Sequence, residues 1–413
     1  MIKFLFCKEN RNFFKWWLAQ VISNLGDRIH QLALVGLIAE RFPGSTLGLA
    51  TAFFFTILPV FLIQPIAGVF VDRWDRKKTL ITCDIARGLL VLFIPLMLMA
   101  HASMIPIYGV VFLIFTFSRF YVPAKMAFIP DLVKKGDLIR ANSFVATTGM
   151  IAVVLGCAAG GFIVDWWGAK SGFIFDSMTY LISAILLLSI KTTSKRAQGK
   201  RPSLIQLEKT VWQEIKEGFV YLMKHKEIRF VINMLFIALM AAGAVYVVLI
   251  VFIQKSFGSV TKDLGMLAIS LAIGLFMGAI GYGKWEKKFA LDKTIFGCLA
   301  VGGVVLIIFT MVTSTQPHLI SSMILAAILG MVIGPIFIAS NSVVNMVSDD
   351  KMQGKVFSAL EMVIHFAFLI AMFISSWLSG FVREVWILLG AGVIVCVSGL
   401  IGLIQNKMRS KVL

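Results

Sequence analysis

Apolar residues run through this chain in long blocks of helical length, and charged residues collect in the gaps between them. A membrane-crossing helix needs roughly 20 apolar residues. On that measure the pattern predicts spans at 14–39, 46–71, 78–100, 104–122, 139–164, 171–190, 229–253, 264–284, 293–313, 317–346, 355–380 and 384–406. The expected fold is therefore all-α and integral to the membrane, with twelve transmembrane helices. Several blocks exceed the hydrocarbon thickness, which tilt or protrusion accommodates.

One long polar stretch interrupts the blocks, at 191–228. It begins as the basic segment KTTSKRAQGKRPS. It continues with Leu204, Leu207, Val211, Ile215, Phe219 and Leu222 at helical spacing, predicting an amphipathic helix on the membrane surface. The stretch divides the chain into 1–190, a linker at 191–228, and 229–413. The outer segments echo each other. Asp72-Arg-Trp-Asp-Arg-Lys follows the second block, and Gly283-Lys-Trp-Glu-Lys-Lys follows the eighth. Gly161-Phe-Ile-Val-Asp-Trp-Trp closes the fifth, and Gly380-Phe-Val-Arg-Glu-Val-Trp the eleventh. Matching features at a nearly constant offset predict two pseudo-symmetric six-helix bundles.

Composition removes the soluble alternatives. Hydrophobic residues make up 59% of the chain and charged residues 15%, against about half and about a quarter in soluble domains. A net charge of +18 would suit nucleic acid if it lay on one face between aromatics. It lies instead between apolar blocks, so no nucleic acid is expected as a partner. With both ends placed in the cytoplasm, about 32 of the 39 Lys and Arg fall on that side, which orients the chain. The opening KFLFCKENRNFFKWW is basic and aromatic, without a signal peptide's apolar core, and is expected to lead from the cytoplasm into the first span. Cys7, Cys83, Cys157, Cys298 and Cys396 stand singly, so neither a metal site nor a disulfide framework is expected. No HExxH, nucleophile elbow or GxxxxGK[ST] occurs; the expectation is no enzyme and no cofactor.

Charges within the spans are the functional candidates, because ionisable groups are costly in lipid. Asp27 lies about 18 Å along its helix from Lys15, near mid-bilayer, where a carboxyl can bind a substrate or carry a proton. A structural hydrogen bond to a neighbouring helix is the plain alternative. Arg28 projects about 100° around the helix from Asp27, and His30 and Gln31 continue the polar stretch. Glu361 and His365, four apart, share a helix face and form either a proton relay or a satisfied pair near the interface. Asp84 and Arg87, three apart, are expected to be a structural pair, and Asp176 a cap or packing contact.

One run of residues carries a family resemblance. Gly68-Val-Phe-Val-Asp72-Arg73-Trp-Asp75-Arg76-Lys77-Lys78 resembles the G-x-x-x-D-R/K-x-G-R-R/K loop of the major facilitator superfamily, with Asp75 in place of the last Gly. That departure is similar to the exporter branch holding macrolide-efflux and siderophore-export proteins. Asn24-Leu-Gly26-Asp27, Asp84-Ile-Ala-Arg87, Arg119-Phe-Tyr-Val-Pro123-Ala, Ile129-Pro-Asp-Leu-Val and Ala141-Asn142-Ser143 extend it. Gly156-Cys157-Ala-Ala-Gly160-Gly161 resembles the antiporter motif G-P-x-x-G-G, with Cys157 for Pro, and its small residues predict tight helix packing.

The resemblance implies a multi-pass secondary transporter of a bacterial cytoplasmic membrane, a monomer working by alternating access. Gly68, Asp72, Arg73, Arg76 and Lys77 then form a cytoplasmic latch, with Gly68 allowing close helix approach. The implied activity is proton-coupled export of amphipathic, macrolide- or siderophore-like molecules, with protons, the substrate and membrane lipids as partners. Two alternatives stand beside it: a lysophospholipid or other lipid-like solute transporter with weak or no ion coupling, and a transport-inactive scaffold or sensor.

Overall fold

The computed structural model describes residues 10–71, 73–191, 216–217, 220, 226–285, 291–347 and 353–409. Within them the chain is a succession of long helices: α1 (Arg11–Arg41), α2 (Thr46–Leu62), α3 (Gln64–Val71), α4 (Arg76–Met99), α5 (Met104–Leu132), α6 (Leu138–Leu188), α7 (Lys226–Phe257), α8 (Lys262–Trp285), α9 (Leu291–Thr315), α10 (Leu319–Val347), α11 (Gln353–Leu378) and α12 (Glu384–Arg409). In lipid every backbone polar group must be satisfied internally, and the helix does this within each segment. Nine of the helices in the described residues are long and apolar enough to cross a membrane, and α2 is a shorter apolar helix. Leu89, Phe93, Leu96, Ile185 and Leu188 are exposed along them, as lipid-facing surfaces require. The expected linker helix over 204–222 falls almost entirely outside the described residues.

Three departures from the periodicity have local causes. The block at 46–71 is two helices, α2 and α3, parting at Ile63 between Pro59 and Pro65. The blocks at 139–164 and 171–190 meet within α6 at Gly168, whose φ of 79° reverses the chain where an L side chain would be strained. The third concerns the block at 104–122, whose helix runs on past Lys125 and Pro130 to Leu132. Arg119 is held inside the fold by a 3.2 Å hydrogen bond to Gln64.

Two compact units emerge, one from Met1–Arg41 with Ala52–Val211 and the other from Phe42–Thr51 with Trp212–Leu413. In the first, α1 lies along α6. Phe13, Trp16, Ala19, Gln20, Ser23, Gly26, Ile29, His30 and Ala33 form its buried stripe, at the three-to-four-residue spacing of one helix face. Small residues opposite permit the approach. A Cβ at Gly156 would crowd Arg28 and the Leu25 carbonyl, and one at Gly160 would press on Ile29. Gly161 beside them is buried. The Trp17 indole donates to Thr148 at 2.9 Å along the same seam.

The end of α6 is closed by donors from elsewhere. Lys15 bonds the Ser189 carbonyl at 2.9 Å, Asn12 that of Lys191 at 3.1 Å, and Lys77 that of Ile190 at 2.7 Å. Terminal carbonyls of a helix have no intrahelical partner, and cations there oppose the helix dipole. At the start of α4, Asp75 caps the helix by accepting from the Lys78 amide at 2.9 Å.

Candidate functional site

The polar groups of the first unit converge from α1, α4, α5 and α6. Asp27 stands beside the buried stripe of α1 and is half-buried. Its Oδ1 accepts a 2.5 Å hydrogen bond from the hydroxyl of Tyr180 on α6. The Tyr180 ring in turn covers Arg87 on α4, 4.3 Å from the guanidinium carbon, and the Tyr121 ring of α5 lies at 4.2 Å. A guanidinium held against two aromatic rings is attracted by the negative faces of their quadrupoles. Arg87 also donates to Asp84 one turn earlier. Asp84 accepts further from Ser183 at 2.7 Å and more weakly from Tyr121 at 3.5 Å. Gln20 on α1 donates to the Tyr121 hydroxyl at 2.5 Å and closes the network.

The expected Asp84–Arg87 pair is therefore the centre of a larger assembly, and Asp27 joins it through Tyr180. Arg28 turns away from Asp27, as its place on the helix implies, and donates to Gln31 at 2.9 Å. Lys125 of α5, half-buried, feels the charges of Asp27 and Arg87. A second polar contact joins α1 to α6 one turn farther on: His30 Nδ1 lies 2.9 Å from Asp176 Oδ2, with both side chains buried.

Tyr121 and Tyr180 were not singled out from the sequence, and His30 and Asp176 were named there without being paired. Tyr121, Tyr180 and Asp176 are separated from their partners by up to 153 residues, so no local motif contains them. A faint signal exists in the matched spacings, Asp27 to His30 on α1 and Asp176 to Tyr180 on α6, each about one helical turn.

Elsewhere the structure alters one expectation. Glu361 and His365 share a turn of α11, and the His365 ring bonds the Glu361 main-chain carbonyl at 2.8 Å. The Glu361 side chain is exposed. Close approach is not seen at Gly68, where an added Cβ would meet no atom within 4 Å. Of the other loop residues, Arg76 pairs with Asp131 at 3.0 Å and bonds the Ala127 carbonyl at 2.9 Å, and Lys77 closes α6. Arg73 is half-buried, and Asp72 lies outside the described residues.

A family model described as the Major Facilitator Superfamily matches residues 16–315 and again 231–410, nearly the whole chain. The chain belongs to this superfamily. Among relatives of this facilitator is BacE of Bacillus subtilis (strain 168), a candidate bacilysin exporter, 26% identical over 73% of this chain and 72% of its own. Macrolide efflux protein A of Streptococcus pyogenes is 24% identical, covering 68% of each chain. The fold is shared with a peptide transporter solved with alafosfalin, at TM-score 0.72 and 12% identity, covering 96% of this chain and 94% of that one. It is shared equally with a bacterial homologue of the iron transporter ferroportin, at TM-score 0.71 and 14% identity, covering 95% and 98%. This facilitator is a multi-pass membrane transporter and not an enzyme.

Proposed function

We propose that this facilitator is a proton-coupled exporter of amphipathic small molecules, macrolide- or siderophore-like in class. It works by alternating access between two six-helix bundles, 1–190 and 229–413, joined by a cytoplasmic linker at 191–228. Twelve spans with both termini in the cytoplasm complete the reading, and the transporter acts as a monomer. The names of its efflux relatives support the direction of transport. Support for coupling comes from one observation, the hydrogen bond from Tyr180 to Asp27 beside the buried Asp84–Arg87 pair.

The chemistry follows from that bond. An ionised Asp27 is an acceptor, and Tyr180 donates to it. When Asp27 takes up a proton the bond from Tyr180 loses its charge assistance, and if the proton sits on Oδ1 the Tyr180 hydroxyl must rotate or let go. The charge of the network also rises by one beside Arg87, which is already paired to Asp84. Proton occupancy is thereby tied to the contact between α1 and the arm of α6 that follows Gly168, where Gly26 lies close against Thr179 and Asp176. A cationic or hydrogen-bonding substrate competes for the same carboxylate, which is what exchange of one for the other requires. At the cytoplasmic end, Gly68, Asp72, Arg73, Arg76 and Lys77 act as the latch, with the Arg76–Asp131 pair as one of its clasps.

The test is purified protein in proteoliposomes with an imposed pH gradient and a trapped pH dye. A panel of macrolides, siderophores and lysophospholipids is added to wild type and to Asp27→Asn. The reading expects gradient collapse with a macrolide or siderophore, lost in the variant. Lysophospholipid movement without proton flux, unchanged in the variant, would overturn it.

A further inference from the structure

The His30–Asp176 pair is a second polar rung between the helices that carry Asp27 and Tyr180, and coupling through Asp27 alone leaves it without a task. Asp27 and His30 stand three apart on α1, and Asp176 and Tyr180 four apart on α6. The two contacts, Asp27 with Tyr180 and His30 with Asp176, are therefore neighbours along one seam. Gly26 between them leaves no room for a side chain, since a Cβ there would strike Thr179 and Asp176. His30 is 2% exposed and Asp176 0%, so both titratable groups are withheld from water and lipid headgroups.

Two features separate this pair from an ordinary interhelical hydrogen bond. His30 Nε2 is buried without a hydrogen-bond partner, so only half of the imidazole is used for holding helices together. Imidazole is also the side chain that ordinarily changes charge in the physiological pH range. The surroundings make its proton count matter. Phe115 of α5 and Phe173 of α6 lie steeply tilted against its ring, with ring centroids at 5.9 Å and 5.3 Å, and offer no compensating polar group. The charged groups acting on Asp176 are His30 itself, Asp27 of α1 and Arg87 of α4, the last already engaged by Asp84. Thr179 approaches Asp176 Oδ1 at 3.5 Å, and Tyr180 stands one turn away on α6.

We propose that His30 and Asp176 form a second proton-binding site, holding one exchangeable proton between them and trading it during the transport cycle against the charge on Asp27. With that proton present, the pair is imidazolium with carboxylate and net neutral. Its departure leaves a bare Asp176 carboxylate, and an ionised Asp27 one turn away opposes that second negative charge. The two sites therefore prefer to be emptied in turn, as interacting acids do. The arrangement passes a proton along the α1–α6 seam without any charged side chain crossing the apolar layer. This rests on the coupling role proposed for Asp27, and its test is independent of that role.

Ring-nitrogen NMR of histidine-labelled protein in lipid nanodiscs reads the site directly. The chain holds five His, so His30→Gln assigns the signal by difference. Spectra from about pH 5 to about pH 9 are compared for wild type, Asp176→Asn and Asp27→Asn. The expected result is a His30 ring that passes between charged and neutral forms in this range. Asp27→Asn lowers its proton affinity by roughly tenfold, the size of one nearby charge. A His30 ring that keeps one form across the range in wild type and in Asp27→Asn would reduce the pair to a packing bond and overturn the proposal. If Asp176→Asn does not fold, the Asp27→Asn comparison still decides. Uphill transport untouched by Asp27→Asn would remove the role given to Asp27, while the His30 spectra would still judge this site.

Discussion

The two units hold their helices together by different means. In the first, a carboxylate, a guanidinium and two phenols are buried among α1, α4, α5 and α6, and a His–Asp pair is buried beside them. In the second, among the described residues, the buried charged side chain is Asp263, in the first turn of α8 where a helix favours an acid. Its Lys255–Glu384 ion pair, at 2.6 Å, lies where α7 ends and α12 begins.

Glycine seams take the place of charge in the second unit. Gly274 and Gly278 of α8 face Ala327 and Met331 of α10, and Gly330 and Gly334 of α10 face Leu271 and Leu275 in return. Gly303 of α9 meets Gly392 and Cys396 of α12. Helices in lipid gain nothing from hydrophobic association, so close van der Waals contact between small residues supplies the adhesion. Burying ions is a poor way to achieve the same end, because desolvation offsets much of the attraction. The charges of the first unit are thus better explained by what they do than by what they stabilise.

Substitutions in each unit sharpen this contrast. The largest effect is expected for Asp84→Ala, which leaves Arg87 buried without its carboxylate and costs about 3–5 kcal/mol. The double variant Asp84→Ala with Arg87→Leu should recover much of that loss in thermal unfolding in detergent. A double variant as unstable as the single would show that the charges themselves hold the unit together. Next comes Gly274→Leu, whose side chain has no room against the Ala327 backbone; about 1–3 kcal/mol of stability should go. Gly281→Leu is its control, since a Cβ there meets no atom within 4 Å, and its melting temperature should stay near wild type. Tyr180→Phe removes one hydrogen bond and keeps the ring over Arg87, a loss of about 1 kcal/mol. Smallest is Glu361→Gln, at an exposed position, within about 0.5 kcal/mol of wild type by the same measurement.

The sequence pattern carried the second unit further than the first. Blocks 264–284, 317–346 and 384–406 coincide within a few residues with α8, α10 and α12, because apolar length alone defines such helices. In the first unit the block at 104–122 stops short of the helix end, since α5 runs on to Leu132 past Lys125, while Arg119 within the block is received by Gln64. The Asp84–Arg87 pair was legible because its members sit three apart on one helix. Tyr121, Tyr180 and the partnership of His30 with Asp176 were not, because tertiary packing brings them together from distant parts of the chain. Like Asp84 with Arg87, Glu361 and His365 share a turn as their spacing implies, and the His365 ring bonds the Glu361 main-chain carbonyl.

The central claim is that proton coupling resides on Asp27 and not on the acid of α11. Side-by-side reconstitution of Asp27→Asn and Glu361→Gln tests it most directly, measuring proton-driven uphill transport and gradient-free substrate exchange for whichever member of the macrolide, siderophore and lysophospholipid panel wild type moves. The account predicts that Asp27→Asn loses uphill transport while retaining exchange, and that Glu361→Gln keeps both. Uphill transport that survives Asp27→Asn and disappears in Glu361→Gln would contradict it.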